Sequence, residues 1–258
     1  GERLLLHGIV DEVVTEETAE RGRTVRFRGR GYAAQLLDNE SPPLVYQGVT
    51  LREILRRHVT PYGIRCRERA ETKAEGEFTL AAGSSQWKVL EDFCRVYGGF
   101  TPRFDRYGEL LAVPERDGGE RLVIDDGTEL LSLRRREDHY GVLSEVLVLD
   151  KSAGSQYIVR NEDFLRRGGS RRQVVCTPGR STWQAMRYTG EYQIRRSREA
   201  EVEIELTLPG VREAEPGEIV ELRRTGLGLS GTYRLSEVEI LGSESQGTIT
   251  ALRLRERM

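Results

Sequence analysis

The chain has 258 residues, of which 37% are hydrophobic and 32% charged, and its 40 basic and 42 acidic residues give a formal net charge of -2 at pH 7. A chain of this length can bury a sizeable core without disulfides or metals. No apolar run approaches the roughly 18 residues of a membrane-spanning helix, and a signal-peptide core is absent, so we expect a soluble protein made in the cytoplasm. Because acidic and basic residues are interleaved along the chain, the composition excludes the basic surface typical of nucleic-acid-binding proteins.

The N-terminal region predicts an antiparallel β-hairpin. Residues 3–14 and 23–30 are rich in valine, leucine and isoleucine, and the polar stretch between them ends in Gly22. The second strand runs into Gly29-Arg30-Gly31, which raises the alternative of a phosphate-binding loop. Such a loop would need a following Gly-Lys-Ser/Thr motif or a longer helix, and the sequence has neither here. The glycine pair therefore predicts a corner at which the backbone bends or packs closely.

The clearest helix signal follows Pro42-Pro43. In residues 49–63 the apolar face recurs at i, i+3, i+4, i+7 and i+8, which is one continuous helical stripe. These positions are Leu51, Ile54, Leu55, His58 and Val59. Thr50 and Glu53 have the spacing of a capping box, and Pro61 ends the pattern.

A second helix is predicted in residues 84–99, "SSQWKVLEDFCRVYGG", which end in two glycines. The face expected to be buried contains Trp87, Leu90, Cys94 and Tyr97. The next stretch predicts a β-hairpin that turns at residues 105–108. Residues 42–116 are therefore expected to form a small α+β domain inserted into a β-rich body.

The C-terminal part predicts a connecting helix followed by four strands. The helix, about residues 182–199, has Trp183, Met186, Gly190 and Ile194 at helical intervals. Apolar and polar residues then alternate with a period of two in residues 201–208, 217–224, 231–241 and 247–257. Turns rich in glycine and proline separate these strands, and their regular spacing predicts a small barrel or sandwich.

The first and last hairpins are similar in sequence. Each runs from a glycine, Gly8 or Gly231, into a strand that contains Glu-Val, passes a polar turn ending in glycine, and returns through a strand ending in arginine. This loose match predicts two related barrel elements. The expected fold is α+β, mainly β: a small β-barrel body with an inserted α+β domain. Residues 1–41 would form the first barrel element, incomplete at its N-terminal side, and residues 117–258 a β-rich region with the C-terminal barrel strands.

Motifs for catalysis or cofactor binding are weak. Residues 226–231, "GLGLSG", match a dinucleotide-binding pattern, but a strand follows where a helix is needed, so they predict a hairpin loop. His7, His58 and His139 have no partner at metal-ligand spacing, and no Gly-x-Ser-x-Gly motif accompanies them. We predict structural roles for all three histidines. We nominate no catalytic, cofactor-binding or metal-binding residue, and we expect no cofactor.

Three other groups of residues also favour structural interpretations. The acidic pairs are Glu91-Asp92 and Asp125-Asp126; the first is expected by chance, and the second, followed by Gly127, predicts a tight turn. The basic runs, expected on solvated loops, are Arg134–Arg136, Arg166-Arg167 and Arg171-Arg172. The cysteines, expected to be buried reduced thiols, are Cys66, Cys94 and Cys176.

An ordered set of segments resembles a known protein family. The segments are "HGIVDEVV", "TVRFRGRGYAAQLLDNESPP", "VTLREILRRHVTPYGI", "SSQWKVLEDFCRVYGGFTPRFDRYGELLAV", "LPGVREAEPGEIVEL" and "GLSGTYRLSEVEI". In this order, over residues 5–255, they resemble the baseplate hub proteins of contractile-tailed phages. The similar hubs are the Mu-type hubs, the late-control-gene-D hubs and the tail proteins of Gram-positive prophages.

The resemblance implies a structural function. Hubs of this family are homotrimers whose subunits each supply two similar barrel domains, and the pseudo-six-fold ring joins the hexameric tail tube to the trimeric spike. By resemblance, this chain would be a non-catalytic virion component of the tail baseplate, assembled in the host bacterial cytoplasm. Its partners would be copies of itself, the tail tube protein, the spike protein and other baseplate proteins, without sequence-specific nucleic acid or membrane insertion. Family members have further strands before the segment that opens this chain.

Two other classes of function stay open. A tail-associated peptidoglycan hydrolase or carbohydrate-binding module would place carboxylates in a cleft between the barrel and the inserted domain. A nucleic-acid-binding barrel would need a row of stacked aromatic side chains. Aromatic residues make up only 7% of the chain, and no predicted strand carries two of them in alternation.

Overall fold

The structure, a computed structural model, describes residues 4–68, 71–114, 121–177, 179–245 and 247–257. Strands predominate over helices, which confirms the predicted α+β, mainly β class. The strands are β1 (Gly8–Thr18), β2 (Gly22–Gly31), β3 (Glu40–Ser41), β4 (Leu44–Gln47), β5 (Cys66–Glu68), β6 (Glu77–Leu80), β7 (Ser84–Ser85), β8 (Arg103–Phe104), β9 (Leu110–Ala112), β10 (Arg121–Asp125), β11 (Ser132–Glu137), β12 (Glu145–Asp150), β13 (Ser155–Arg160), β14 (Arg172–Cys176), β15 (Val202–Pro209), β16 (Ile219–Arg224), β17 (Leu229–Ser243) and β18 (Gly247–Glu256). The helices are α1 (Ala33–Asp38), α2 (Leu51–His58), α3 (Gln86–Phe93), α4 (Glu162–Arg166) and α5 (Trp183–Glu199).

The chain divides into two compact units, each with its own hydrophobic core. Unit 1 contains Gly1–Pro114, Asp150–Ala153 and Thr177–Ala185. Unit 2 contains Glu115–Leu149, Gly154–Cys176 and Met186–Met258. The predicted domain boundary between residues 116 and 117 lies outside the described residues.

Unit 1 begins with the predicted hairpin, in which β1 and β2 pair antiparallel. The strand β1 starts at Gly8, later than predicted, and continues to Thr18 through a stretch that the sequence assigns to a polar turn. This stretch stays in the strand because its residues pair with β2. Glu17 lies opposite Arg23, and Glu16 also lies opposite a residue of β2. The polar side chains are tolerated because both faces of the hairpin are exposed at this point.

The rest of unit 1 combines α1, α2 and α3 with short strands that pair as β3–β7, β4–β6 and β5–β9–β8. The largest buried side chains of its core are Leu36, Leu51, Ile54, Phe78, Leu90 and Phe93. The predicted capping box is confirmed: the Thr50 hydroxyl accepts from the backbone N–H of Glu53, whose carboxylate accepts from the N–H of Thr50. The predicted apolar stripe of α2 is buried along its length.

The buried face of α3 is wider than predicted. Leu90 is buried as expected, but Val89 and Phe93 are buried as well. Trp87 and Tyr97, by contrast, are only partly buried. The reason is that α3 packs against both α1 and α2, so two adjacent sides of the helix are covered.

Two predicted tight turns are confirmed. In the turn after β8, the carboxylate of Asp105 accepts from the backbone N–H groups of Tyr107 and Glu109 (3.0 and 2.9 Å). In the turn after β10, the carboxylate of Asp125 accepts from the N–H of Gly127 (3.1 Å). Such local hydrogen bonds are why aspartate is common in turns.

The largest sheet of unit 2 has the strand order β10-β16-β17-β18-β15-β11, in which only β10 and β16 are parallel. The four predicted C-terminal strands are confirmed as β15 to β18. Ile124 of one edge strand and Leu133 of the other join the same core, so the sheet curls around it. The predicted barrel is not closed, because no backbone pairing joins β10 to β11 within the described residues.

The second sheet of unit 2 has the order β13-β12-β14 and packs against α5, which confirms the predicted connecting helix. Met186 and Ile194 join this core as predicted. Gly190 is buried where a Cβ atom would overlap the side chain of Val159. Trp183 was predicted on the packed face but is 58% exposed. It is the first residue of α5, one turn before the residues that pack on the sheet.

Candidate interaction surface

The hairpin β1–β2 exposes an apolar face. The register places Val13 opposite Phe27, and Val25 lies two residues before Phe27 on the same side. Val10 lies on this side too, opposite Gly29. The exposed fractions are 64% for Val10, 55% for Val13, 52% for Val25 and 66% for Phe27. We call these four side chains the hairpin apolar face; a sheet face of this composition normally packs on a core.

The other face and both edges of the hairpin are also open. On the opposite face, Glu12 forms an ion pair with Arg28 (3.3 Å), and Arg26 lies opposite Val14. The hairpin is a two-stranded sheet, so each strand has one edge without a paired strand among the described residues. An isolated two-stranded hairpin is only marginally stable, and open edges favour pairing with further strands.

Arg30 joins the base of the hairpin to α1. Its Nε donates to Oδ2 of Asp11 (2.8 Å), and its Nη2 donates to Oδ2 of Asp38 (2.7 Å). Asp11 is the extra residue of a β-bulge in β1. The hydrogen bonds from Arg30 hold the pKa values of both carboxyl groups below their usual value, although desolvation opposes this effect. Both carboxylates are therefore ionised at neutral pH and hold the hairpin at its base.

The glycine pair at the end of β2 is a corner and not a phosphate-binding loop. A Cβ atom at Gly29 would overlap the carbonyl oxygen of Ile9 on the paired strand. Gly29 and Gly31 have no positive φ, so close backbone packing is the reason for Gly29. After Gly31, Tyr32 takes a right-handed helical conformation and α1 follows with only six residues. The chain turns from strand to helix here, as predicted.

The last hairpin, β17–β18, repeats the geometry of β1–β2. Each hairpin has a one-residue bulge directly before its Glu-Val pair. Glu12 faces Arg28 in the first hairpin, and Glu237 faces Arg253 in the last one, in both cases as an ion pair. The spacing from the glutamate to the glycine that opens the second strand is identical in the two hairpins.

The turn glycines of the two hairpins also correspond to each other. Gly22 and Gly247 have φ values of +68° and +70°, and each begins the second strand of its hairpin. Only glycine adopts such a backbone conformation without steric cost. The predicted sequence similarity therefore extends to strand register, bulge and turn.

Equivalent faces of the two hairpins differ in burial. Val13 corresponds to Val238, and Phe27 corresponds to Leu252, in the same cross-strand pair. Leu252 is 1% exposed in the core of the six-stranded sheet, whereas Phe27 is 66% exposed. The hairpin apolar face thus has the composition of a sheet face that packs in a core. Among the described residues, no second apolar layer covers it.

The outer face of the six-stranded sheet carries alternating charges in register. Arg134 lies opposite Glu205, Glu205 opposite Arg253, and Arg253 opposite Glu237. Ion pairs link Arg134 to Glu205 (3.4 Å), Glu205 to Arg253 (3.6 Å), and Arg253 to Glu237. The expectation that Arg134–Arg136 lie on a loop is wrong: they lie in β11, where Arg134 and Arg136 are opposite glutamates of β15. Their charges are compensated, which disfavours a phosphate-binding surface.

The buried side chain of His58 has a hydrogen-bonding partner at each of its two ring nitrogens. Its Nδ1 lies 2.6 Å from Oε1 of Gln86, and its Nε2 lies 2.8 Å from the hydroxyl of Tyr46. Burial lowers the pKa of His58, although the bond to Gln86 opposes this. In the neutral ring Nδ1–H donates to Gln86 and Nε2 accepts from Tyr46, which satisfies both nitrogens.

His7 and His139 lie outside regular structure. His7 precedes β1, although the sequence predicted it within a strand, and its Nε2 is 3.1 Å from the hydroxyl of Tyr32. His139 donates through Nδ1 to a carboxylate oxygen of Glu201 (2.8 Å). Both histidines therefore have side-chain hydrogen-bonding partners that lie far from them in the sequence.

Glu201 is a buried acidic residue, with 6% exposure. It accepts from Nη1 and Nη2 of Arg167 (2.7 and 3.1 Å) as well as from His139. The hydrogen bonds from Arg167 lower the pKa of Glu201, while burial raises it. Arg167 was expected on a solvated loop; instead it directly follows α4 and binds this carboxylate. Arg166 lies in α4, and Arg172 begins β14.

In each candidate acidic pair, a carboxylate accepts hydrogen bonds from nearby residues. Asp92 accepts from Lys88 and Arg95 (2.7 Å each) within α3 and the turn that follows it. Asp126 accepts from the backbone N–H and the hydroxyl of Thr225, which lowers its pKa. These local contacts disfavour a pair of carboxyl groups facing each other across a cleft. Residues 226–231 form part of a turn and the start of β17, as predicted for a hairpin loop.

The three cysteines are free, but only one is fully buried. Burial raises the pKa of Cys94, and it raises that of the half-buried Cys66 to about 11. Cys176 is exposed, contrary to the prediction, because it ends β14 on the side away from the core of α5. Among the described residues, no group of three or more His, Cys, Asp and Glu side chains could hold a metal ion. No helix within the described ranges is long and apolar enough to cross a membrane.

A scan against protein-family models finds no match, and a search of curated proteins finds none either. Solved structures, by contrast, are similar over nearly the whole chain. A tail protein from Neisseria meningitidis has a TM-score of 0.82 at 19% identity, covering 97% of this chain and 80% of that chain. The tail protein of prophage MuSo2 from Shewanella oneidensis has a TM-score of 0.79 at 16% identity, covering 99% of this chain and 80% of that chain.

A component of the Escherichia coli type VI secretion system is similar as well, with a TM-score of 0.59 at 12% identity, covering 98% of this chain and 61% of that chain. That protein is itself described as structurally similar to bacteriophage tail proteins. At identities this low, the similarity shows the fold alone. The chain therefore has the fold of phage and prophage tail proteins.

Proposed function

We propose that this chain is a structural subunit of a phage or prophage tail, and that it forms a trimeric ring in the baseplate hub. The ring would adapt the six-fold tail tube to the three-fold spike. Similarity in fold to tail proteins supports this proposal. The observation that carries it is the difference in burial between two equivalent hairpins of the same chain. The hairpin apolar face is exposed, whereas the equivalent face of β17–β18 is buried.

A trimer matches a hexagonal partner when each subunit supplies two similar elements. The hairpins β1–β2 and β17–β18 are such a pair, because they share register, bulge and turn. We assign residues 1–41 to the first barrel element, 42–116 to an inserted α+β domain, and 117–258 to the region with the second element. Ring assembly would bury the hairpin apolar face and pair its open strand edges.

The proposal requires no catalytic residue, cofactor or metal. Its partners are other copies of this chain, the tail tube protein, the spike protein and other baseplate proteins. Assembly would take place in the host bacterial cytoplasm, and the assembled protein would lie in the virion tail. The compensated charges of the six-stranded sheet suit this role, because a tail channel that passes DNA should bind phosphates weakly.

Sedimentation velocity of the full chain tests the proposal. We expect a mass of three copies for the wild type at micromolar concentrations. Phe27→Glu places a charge on the hairpin apolar face and should give monomers. Arg26→Glu, on the opposite face of the same strand, is the matched control and should keep the trimer. A wild type that stays monomeric at every concentration, even with tail tube or spike protein present, would contradict the proposal.

A further inference from the structure

An open cleft in unit 2 lies between the start of β14 and the second half of α5. Its volume is about 380 Å³. Arg171, Arg172 and Gln173 line it from the side of β14, and Gln193 and Arg196 line it from α5. Three arginines and two glutamines thus belong to the lining of one concave surface, and no acidic residue is among the described residues that line it.

Two of these arginines carry uncompensated charge. Arg171 donates to the backbone carbonyl of Tyr140 (2.6 Å), and its guanidinium stacks on the tyrosine ring. Tyr140 itself is 86% exposed. Arg196 donates to the hydroxyl of Tyr192 (3.2 Å). In the part of the chain that the structure describes, neither of the two forms an ion pair with a carboxylate. Their contacts to neutral tyrosine groups orient the guanidiniums and leave their positive charge available.

The third arginine is only partly neutralised. Arg172 forms an ion pair with Glu145 (2.7 Å), but the same carboxylate also binds Arg160 (3.1 Å). One negative charge therefore serves two guanidinium groups. The cleft and its rim have a net positive charge, which favours an anionic ligand.

The backbone beside the cleft can bind a further strand. In the order β13-β12-β14, β14 lies at an edge of the sheet, and its one partner strand among the described residues is β12, in parallel. Alternate residues of such an edge strand direct their N–H and C=O groups away from the sheet. Within the described ranges, no strand is paired with the outer edge of β14.

We propose that this cleft binds an extended acidic peptide segment of a partner protein, which adds to the outer edge of β14. Main-chain hydrogen bonds to the edge supply affinity, and the arginines select acidic side chains. The forked guanidiniums of Arg171 and Arg196 match carboxylates in two-point hydrogen bonds. The carboxamides of Gln173 and Gln193 can bond the peptide groups between these carboxylates. The site goes beyond the proposed function, because ring assembly through the hairpin assigns no ligand to this cleft.

Fluorescence anisotropy with short labelled peptides tests the site on the full chain. The probe is an eight-residue peptide that alternates glutamate and valine, and its control has glutamine in place of glutamate. We expect the glutamate peptide to bind about tenfold more tightly or better, because each charged hydrogen bond contributes about a factor of ten. Arg196→Ala should weaken it by a similar factor. Arg56→Ala, which removes a charge from the exposed side of α2, is the matched control and should have no effect.

Hydrogen exchange locates the bound peptide and separates the alternatives. With the glutamate peptide present, we expect slower exchange of amides in β14. Equal binding of the two peptides, or protection only outside β14 and α5, overturns the proposal. Binding of inorganic phosphate or oligothymidylate without binding of the glutamate peptide also overturns it, because those ligands need the arginines but not the strand edge. None of these readouts depends on whether the chain forms trimers.

Discussion

Phe27 and Leu252 occupy the same position in two equivalent hairpins of one chain, yet Phe27 is 66% exposed and Leu252 is 1% exposed. Each lies opposite the valine of a Glu-Val pair that follows a β-bulge. The local sequence pattern produces the same hairpin twice. Only the strands that neighbour β17–β18 in the six-stranded sheet make the difference in burial.

This relationship predicts that truncation of the two side chains has very different effects on stability. Leu252→Ala should lower the free energy of unfolding of unit 2 by about 3 kcal/mol, because it opens a cavity in a filled core. Phe27→Ala should change the stability of the isolated chain by less than about 0.5 kcal/mol, because the side chain is exposed. Urea unfolding followed by circular dichroism, at concentrations where the chain is monomeric, measures both. A large loss in Phe27→Ala would mean that the face is already covered within one copy.

Gly29 should be intolerant of a side chain. Gly29→Ala would force a Cβ atom against the carbonyl oxygen of Ile9 and should favour local opening of the hairpin by about 1–3 kcal/mol. Hydrogen exchange of the β1 and β2 amides measures this local opening. Gly226→Ala is the matched control, because a Cβ atom at Gly226 has open space around it. Equal exchange rates in the wild type and Gly29→Ala would contradict the close approach of the strands.

His58 should make unit 1 less stable in mild acid. Its pKa is lowered by burial, so the unfolded chain takes up the proton more readily than the folded one. The free energy of unfolding should therefore fall as the pH drops below about 6.5, by at most about 1.4 kcal/mol per pH unit. Fluorescence of Trp87, which packs against the core of unit 1, reports the transition. In His58→Gln this pH dependence should disappear; a dependence that persists unchanged would assign it to another group.

Glu201 should control the stability of unit 2 at lower pH. Because its folded pKa is lowered, its contribution is present above the ordinary carboxyl pKa and is lost as the pH falls through the folded value. Glu201→Gln should cost about 1 kcal/mol at neutral pH, a modest value because solvent reaches Arg167 and screens the pair. Hydrogen exchange of unit 2 peptides between pH 3 and 7 is the measurement. Glu239→Gln, at an exposed position, serves as the control and should behave like the wild type.

Local patterns were sufficient for elements whose signals lie within a few residues. The capping box of Thr50 and Glu53 defined the start of α2, and the alternation in residues 201–257 defined four strands. The similarity of the first and last hairpins was also visible, because the Glu-Val pairs and turn glycines that carry it lie within each hairpin's own sequence. Caps, turns and periodic faces are decided by hydrogen bonds and packing of short range.

Other features depended on partners distant in the sequence. The sequence predicts a solvated loop for Arg134–Arg136, but they lie in a strand that pairs with β15, and two of the three arginines are opposite glutamates. Trp183 looked like a packing residue, and it is exposed because the sheet beneath α5 covers only later turns. The basic cleft beside β14 was not predicted either. Arg196 lies 24 residues after Arg172 in the sequence, and only the packing of α5 beside β14 brings it close to Arg171 and Arg172.

The sequence alone determined the period of each strand and helix, the corner at Gly29 and the existence of two similar hairpins. The tertiary structure decided which of these hairpins is buried, because burial depends on neighbouring strands that the local sequence does not specify. Identical periodicity is compatible with a filled core at Leu252 and with an exposed surface at Phe27. The free energy of burying an apolar side chain comes from whatever covers it, and that partner is a property of the fold and of the assembly.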